Sequence, residues 1–351
     1  MSPVRSHPTA KARACLLAAL IGLTLALLAC SSSGAKNEAK ASVATSTPEA
    51  TATVTATPSP EPVFEPPVIT PTEVPTEPTT PVPTPIDAPQ IQLLPAVIGQ
   101  GQTTYVSLAG NSAASATALY DGRRYPLVAQ GGSFWGIIAA AGDADPGPHT
   151  IVIQLFDADA NLLTELQTQV TVVSMDFPVE NIDLPDDVNN SLDPALIQQE
   201  DDARANTFAL FTPQKLWAGA FIWPVPEVIV SPFGIRRSYN GGPVSSFHGG
   251  IDLAADAGVP VAAANSGRVA YVGSGPTHGN SVLIDHGDGV FSGYNHLSAI
   301  NVTQGQMVNK GEIVGLIGST GMATGPHLHW EVVVRGVLVD PAPWTLQEMG
   351  P

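Results

Sequence analysis

Six of the eight histidines fall in the last third of the chain, and four of them stand in three short segments. These are His248-Gly-Gly-Ile-Asp252, Tyr294-Asn-His296-Leu297 and Gly325-Pro-His327-Leu-His329-Trp330. A histidine with an aspartate four residues on, plus one further histidine, supplies two imidazoles and one carboxylate. Nitrogen and oxygen donors of this kind suit tetrahedral zinc, and three protein ligands leave the fourth position for water. Side chains two apart on a strand share a face, so His327 and His329 can enter one groove. Two more histidines nearby could then move protons. Spacing alone does not choose among the histidines, and each motif taken singly also fits a structural histidine. Glu331 shares the His327/His329 face by alternation, either orienting a ring from behind or standing as a rim charge. His286, in Asp285-His286-Gly287, and His278, in a Gly/Pro loop, read as structural or solvent-exposed.

The elements that must position these residues begin far upstream. The chain has 351 residues, enough for two domains with appendages. Its formal net charge of −17 argues against nucleic acid as a partner, since that binding needs a basic face. Two cysteines, Cys15 and Cys30, cannot build a disulfide scaffold. Arg5, Lys11 and Arg13 precede a run from Ala14 to Ala29 that is apolar apart from Thr24. The run is shorter than the roughly 20 residues a membrane span needs and ends at small residues. Leu27-Leu28-Ala29-Cys30 resembles the bacterial lipobox, with residues 1–29 as a cleaved signal peptide and Cys30 as the lipid-bearing first residue. An ordinary signal peptide or an uncleaved anchor is the alternative. Residues 30–89 turn rich in Thr and Pro, a composition that buries too little apolar surface to fold and serves as an extended tether.

Order is expected from residue 90. Short runs at 103–108, 116–120, 132–139, 149–156 and 164–173, separated by turn residues, predict an antiparallel immunoglobulin-like β-sandwich over residues 90–175. Asp121-Gly122 marks a tight hairpin. Residues 176–223 read as a helical linker: Asp193-Pro194 is an N-cap followed by proline at the first helical position, opening a helix to about Phe211 with one weak apolar stripe. The aromatic stretch Trp217–Trp223 should pack onto the C-terminal domain. From residue 224 to 351 the pattern is short β segments with glycine turns, at 259–263, 267–272, 281–285, 290–296, 313–317 and 327–334. The fold class is therefore all-β, a sandwich followed by an antiparallel β catalytic domain, with a short connecting helix.

Taken in order, the motifs from Ser231 to Pro343 resemble the lysostaphin-like zinc peptidases that cut bacterial cell-wall peptides. Ser231-Pro-Phe-Gly-Ile-Arg236, His248–Asp252, Gly258-Val-Pro-Val261, Tyr294–Leu297, Gly305-Gln-Met-Val308, Gly318-Ser-Thr-Gly321 and Gly325–Trp330 carry the likeness. The resemblance implies Zn2+ as cofactor, with His248, Asp252 and His329 as its ligands. It implies His327 and His296 as the catalytic pair, with their two roles open to exchange, and a peptidoglycan peptide as substrate. Ser292 stands where the family often has threonine. The implied protein is an extracytoplasmic zinc endopeptidase of the cell envelope, held to a membrane through lipidated Cys30. Two other classes compete. A catalytically inactive envelope lipoprotein that binds peptidoglycan or activates other wall hydrolases would keep the fold, although such members usually lose metal or catalytic residues. A lipoyl-like carrier module is disfavoured because no lysine stands at an obvious hairpin tip.

Overall fold

Period-two runs of β-branched and aromatic residues build eight strands in the first half of the computed structural model, which describes residues 89–183, 193–226 and 228–350. All of these fall in one compact unit. The expected signal peptide, Cys30 and, but for residue 89, the tether lie outside the described residues. The strands are β1 (Gln90–Leu94), β2 (Val97–Gly99), β3 (Thr103–Ala109), β4 (Ser115–Tyr120), β5 (Arg123–Gln130), β6 (Ser133–Ala139), β7 (Gly147–Phe156) and β8 (Leu162–Val173). Their order is β1-β3-β6-β5-β4-β7-β8-β2. One half of β5 pairs with β4 and the other half with β6, so this strand joins the two layers. Between them lies a core that includes Val106, Leu108, Ala118, Tyr125, Ile138, Ile151, Ile153 and Val170, all buried. The β4–β5 turn is Asp121-Gly122, both residues with positive φ, as a two-residue hairpin loop requires. β2 departs from the antiparallel expectation, because it pairs in parallel with β8.

A linking strand β9 (Val179–Ile182) leads to the only α-helix among the described residues, α1 (Pro194–Phe208). Asp193 caps it by accepting from the Ala195 amide, with Pro194 in the first turn. The helix ends at Phe208 rather than Phe211, and its buried face corrects the apolar stripe. Glu200, Arg204 and Thr207 are the buried side chains, whereas Leu196 is exposed. A polar face turns inward because buried ionic partners await it on the next domain.

That domain comprises β10 (Ile229–Ser231), β11 (Arg236–Tyr239), β12 (Val244–Phe247), β13 (Ile251–Ala254), β14 (Pro260–Ala262), β15 (Gly267–Gly275), β16 (Gly279–Gly287), β17 (Val290–Leu297), β18 (Ala299–Ile300), β19 (Met307–Val308), β20 (Ile313–Leu316), β21 (His327–Val334) and β22 (Val337–Val339). Its main sheet runs β10-β13-β21-β17-β16-β15-β19, with β22 beside β21. Alternation on β21 sends Leu328, Trp330, Val332 and Val334 into the core and leaves His327, His329 and Glu331 together on the other face. Trp223 packs edge-on to Trp330 with ring centroids 5.4 Å apart, and Phe221 packs on Trp344 at 5.3 Å. No helix among the described residues is long and apolar enough to cross a membrane.

His286 is wholly inside this core, not exposed. Its Nδ1 lies 2.8 Å from the Ser266 carbonyl and its Nε2 lies 2.7 Å from Ser292 Oγ. A carbonyl can only accept, so Nδ1 donates and the Ser292 hydroxyl donates to Nε2. Burial pushes its pKa from 6.5 down to about 4, against the pull of the Ser266 hydrogen bond. The unfolded chain takes up this proton near pH 6.5 and the folded chain only near 4, so the folded state loses stability as pH falls through that window. Between pH 7 and pH 5 His286→Gln should lose about 1–2 kcal/mol less than wild type in urea unfolding. An unchanged slope with pH would contradict the buried neutral ring.

Candidate metal centre

β13 and β21 run antiparallel with Asp252 directly opposite His329. That register brings a carboxylate and an imidazole from distant segments face to face, and His248, just before β13, closes the group. His248 Nε2 lies 2.9 Å from Asp252 Oδ1 and 2.9 Å from His329 Nδ1, and the third side, His329 Nδ1 to Asp252 Oδ1, is 2.7 Å. All three residues are buried. They form the one group of at least three His, Cys, Asp or Glu side chains, among the described residues, whose donor atoms could hold a metal ion.

The outer nitrogens decide what this triangle can bind. His248 Nδ1 lies 2.8 Å from the Pro232 carbonyl, so it carries the proton and leaves Nε2 bare in the neutral ring. His329 Nε2 lies 3.1 Å from Glu331 Oε1, which likewise places its proton on the outer side and leaves Nδ1 bare. With both rings neutral, two nitrogen lone pairs and one carboxylate oxygen converge with no proton between them. Such an arrangement is repulsive unless a cation sits among the donors, and the donor chemistry is that of a zinc site. Burial pulls the His329 pKa down, but Asp252 and Glu331 on either side raise it to about 9. Burial raises the Asp252 pKa, yet the His248 and His329 rings beside it bring it well below the carboxylate range. Burial also lowers the pKa of His248, outweighing the pull of Asp252.

Asp252 is held from outside as well. Arg237 Nη2 donates to its Oδ2 at 3.0 Å and to Ser231 Oγ at 3.1 Å. Gly250 lets β13 approach β21, for a Cβ there would sit 2.4 Å from the Trp330 carbonyl and 3.0 Å from His329 Cε1.

Both remaining predicted residues lie beside the triangle. His327 donates from Nδ1 to the Gly325 carbonyl at 2.9 Å, and its Nε2 is 3.8 Å from Asp252 Oδ1. His296 donates from Nδ1 to the Thr320 carbonyl at 2.8 Å, and its ring centroid is 4.8 Å from that of His327. Each therefore keeps Nε2 as an acceptor. Burial, and then the neighbouring His329 and His327, push the His296 pKa down to about 3, so the ring is neutral. His296 also adopts φ 62°, a left-handed conformation uncommon outside glycine, which is the kind of strain that recurs at working sites. A cavity of about 520 Å³ faces the cluster, with Ile197, Tyr239, Phe247, Met322 and Leu338 in its walls.

Two further contributors stand behind the triangle, and of these the sequence reading left Arg204 out. His278, read as structural or solvent-exposed, is structural: its Nδ1 lies 2.9 Å from Glu200 Oε1 on α1, and its Nε2 is 3.5 Å from Glu331 Oε1. Arg204, also on α1, donates to Glu331 Oε2 and, at 3.3 Å, to Asn295 Oδ1. Glu331 itself orients the His329 ring, which decides between its two sequence readings. The signal for the helix was faint, a glutamate and an arginine four apart on an otherwise polar helix.

Gly250→Ala should destabilise the fold by on the order of 1–3 kcal/mol, the range for forcing extra volume into a packed site. Chemical denaturation reads this directly, and wild-type stability would contradict the close β13–β21 approach.

Comparison with known proteins places this geometry in a family context. Residues 246–341 match the model described as peptidase family M23. Over 116 residues the chain is 44% identical to the DD-carboxypeptidase/endopeptidase Mpg of Neisseria meningitidis serogroup B, covering 32% of this chain and 26% of that protein. Over 89 residues it is 46% identical to the peptidoglycan DD-endopeptidase ShyA of Vibrio cholerae, covering 25% of this chain and 21% of that protein. The chain thus spans about a quarter of the length of these curated relatives. A crystal structure from Pseudomonas aeruginosa, described as a peptidase M23, aligns over 70% of this chain and 93% of that one, at 26% identity and a TM-score of 0.54. That likeness extends past the matched family segment to the elements before it.

Proposed function

Because the chain carries a peptidase family M23 domain at residues 246–341, we propose that it is a zinc-dependent endopeptidase that hydrolyses the peptide cross-links of bacterial peptidoglycan. The observation that carries this reading is the triangle of His248 Nε2, Asp252 Oδ1 and His329 Nδ1, three donor atoms held within 2.9 Å of one another. One relative is named a peptidoglycan DD-endopeptidase and another a DD-carboxypeptidase/endopeptidase, and these names support the substrate class.

In this reading His248, Asp252 and His329 hold the zinc. Zinc supplies Lewis acidity, lowering the pKa of water toward about 7 and polarising the scissile carbonyl. His327 takes the proton of the attacking water at Nε2, the nitrogen that its bond to Gly325 leaves bare. That proton then passes to the leaving amine. His296, neutral and with the same free Nε2, is the second acceptor: it takes the proton left on the attacking oxygen and hands it to the leaving amine, so that the products are carboxylate and ammonium. Arg237 and Ser231 keep Asp252 from swinging out of the site.

His327→Ala should keep its zinc and its fold while turnover drops on the order of 10²–10⁴-fold, the range for a general base. His329→Ala should lose the zinc, because two protein ligands remain. Metal content and mass spectrometry of released wall peptides, measured on both variants beside wild type, check the pair. A wild type that holds zinc, releases no peptide and stimulates another wall hydrolase would instead establish the regulatory alternative.

The proposal extends to location. Cys30 carries lipid, residues 30–89 form the tether, and the sandwich positions the peptidase domain at its end, on the outer side of a membrane. The support is the signal-like run before Cys30 and the Thr/Pro composition after it. Cys30→Ser should move the protein from the membrane to the soluble fraction or leave its precursor unprocessed. Wild-type fractionation and migration would overturn the anchor.

A further inference from the structure

Helix α1 lies outside the matched family segment, yet it reaches the back of the metal centre. Glu331 divides its two oxygens between neighbours. Oε1 accepts from His329 Nε2 at 3.1 Å, and Oε2 accepts from Arg204 Nη2. The other arm of the Arg204 guanidinium donates to Asn295 Oδ1 at 3.3 Å, and Asn295 in turn donates to the His329 carbonyl at 3.2 Å. The fork therefore grips both the carboxylate behind the His329 ring and the strand residue opposite it. Arg204, Asn295 and Glu331 are all buried, so no solvent competes for these bonds. Four residues earlier on the helix, Glu200 accepts from the Thr277 amide at 2.8 Å and the His278 amide at 2.9 Å. This fixes α1 along its length against the loop that carries His278.

We propose that Arg204 is a positioning residue for the metal centre: through Glu331 it fixes the His329 ring so that Nδ1 faces the ion. The inference rests on the zinc reading of the site. Groups behind a metal-bound histidine orient its ring and strengthen its donor atom, and losing one typically weakens metal binding by about 10–100-fold. Without Arg204, Glu331 keeps no partner on Oε2 and its carboxylate is free to turn from the ring. Lysine keeps the charge but lacks a planar fork that can reach Glu331 and Asn295 together. An interaction that only glued the helix down would leave the ion's surroundings unchanged.

The test uses the full chain at one fixed pH, with circular dichroism to confirm folding. Zinc affinity is measured by chelator competition, and the visible spectrum of the Co2+-loaded protein reports ligand geometry. Arg204→Met should bind zinc about 10–100-fold more weakly with a shifted Co2+ spectrum, and Arg204→Lys should fall between it and wild type. Wild-type affinity and spectrum in a folded Arg204→Met protein overturn the inference alone. If the Met variant does not fold, the Lys variant decides: weakened binding supports the role, and unchanged affinity with an unchanged spectrum overturns it. A wild type that takes up no zinc overturns the zinc reading and this inference together.

Discussion

Three donor atoms aimed at one point are the constraint on which the rest of this molecule depends. His248 Nε2, Asp252 Oδ1 and His329 Nδ1 stand within 2.9 Å of one another, a spacing that favours a positive charge among them. Nothing local to any one of them produces that. It is the antiparallel register of β13 against β21, with Asp252 opposite His329, that forces the approach. The core side of β21, with Leu328, Trp330 and Val332 fully buried, locks the register, because a slip by one residue would exchange that apolar face for the polar one.

Around the triangle the protein builds outward in hydrogen bonds that fix orientation. Carbonyls of Pro232, Gly325 and Thr320 each take the Nδ1 proton of one histidine, and Glu331 takes the Nε2 proton of His329. These partners can only accept at those bonds, so each ring turns its other nitrogen toward the cluster. The tautomers are thereby written by backbone geometry. Burial reinforces the pattern at His296, which stays neutral. At His329 the two flanking carboxylates overcome burial, so that the triangle favours positive charge.

The polar helix α1 completes the same logic from a distance. A helix that buries Glu200, Arg204 and Thr207 gains little from the hydrophobic effect, and its docking depends on partners of opposite charge and free amides. Those partners, His278 and Glu331, are also neighbours of the candidate metal centre. Docking the helix and shaping the centre are thus one set of contacts, contributed by a segment that precedes the peptidase domain.

Much was legible in the residues alone, because it depends on short-range periodicity and turn chemistry. Alternation places His327, His329 and Glu331 on one face of a strand. Asp-Gly at 121–122 demands a turn, Asp193-Pro194 starts a helix, and glycine-separated β segments make the class all-β. The resemblance of the motifs then points to zinc and to the five candidate residues. Only the tertiary structure decided which nitrogen of each ring faces inward, since that depends on carbonyls brought in by other segments. It alone joined His248 to His329 across 81 positions and Arg204 to Glu331 across 127. It alone showed His286 to be a buried neutral ring and α1 to turn charge rather than apolar surface inward. Such pairings carry no local signal, because a side chain's neighbours across a sheet are fixed by register and packing, and its spacing along the chain is silent about both.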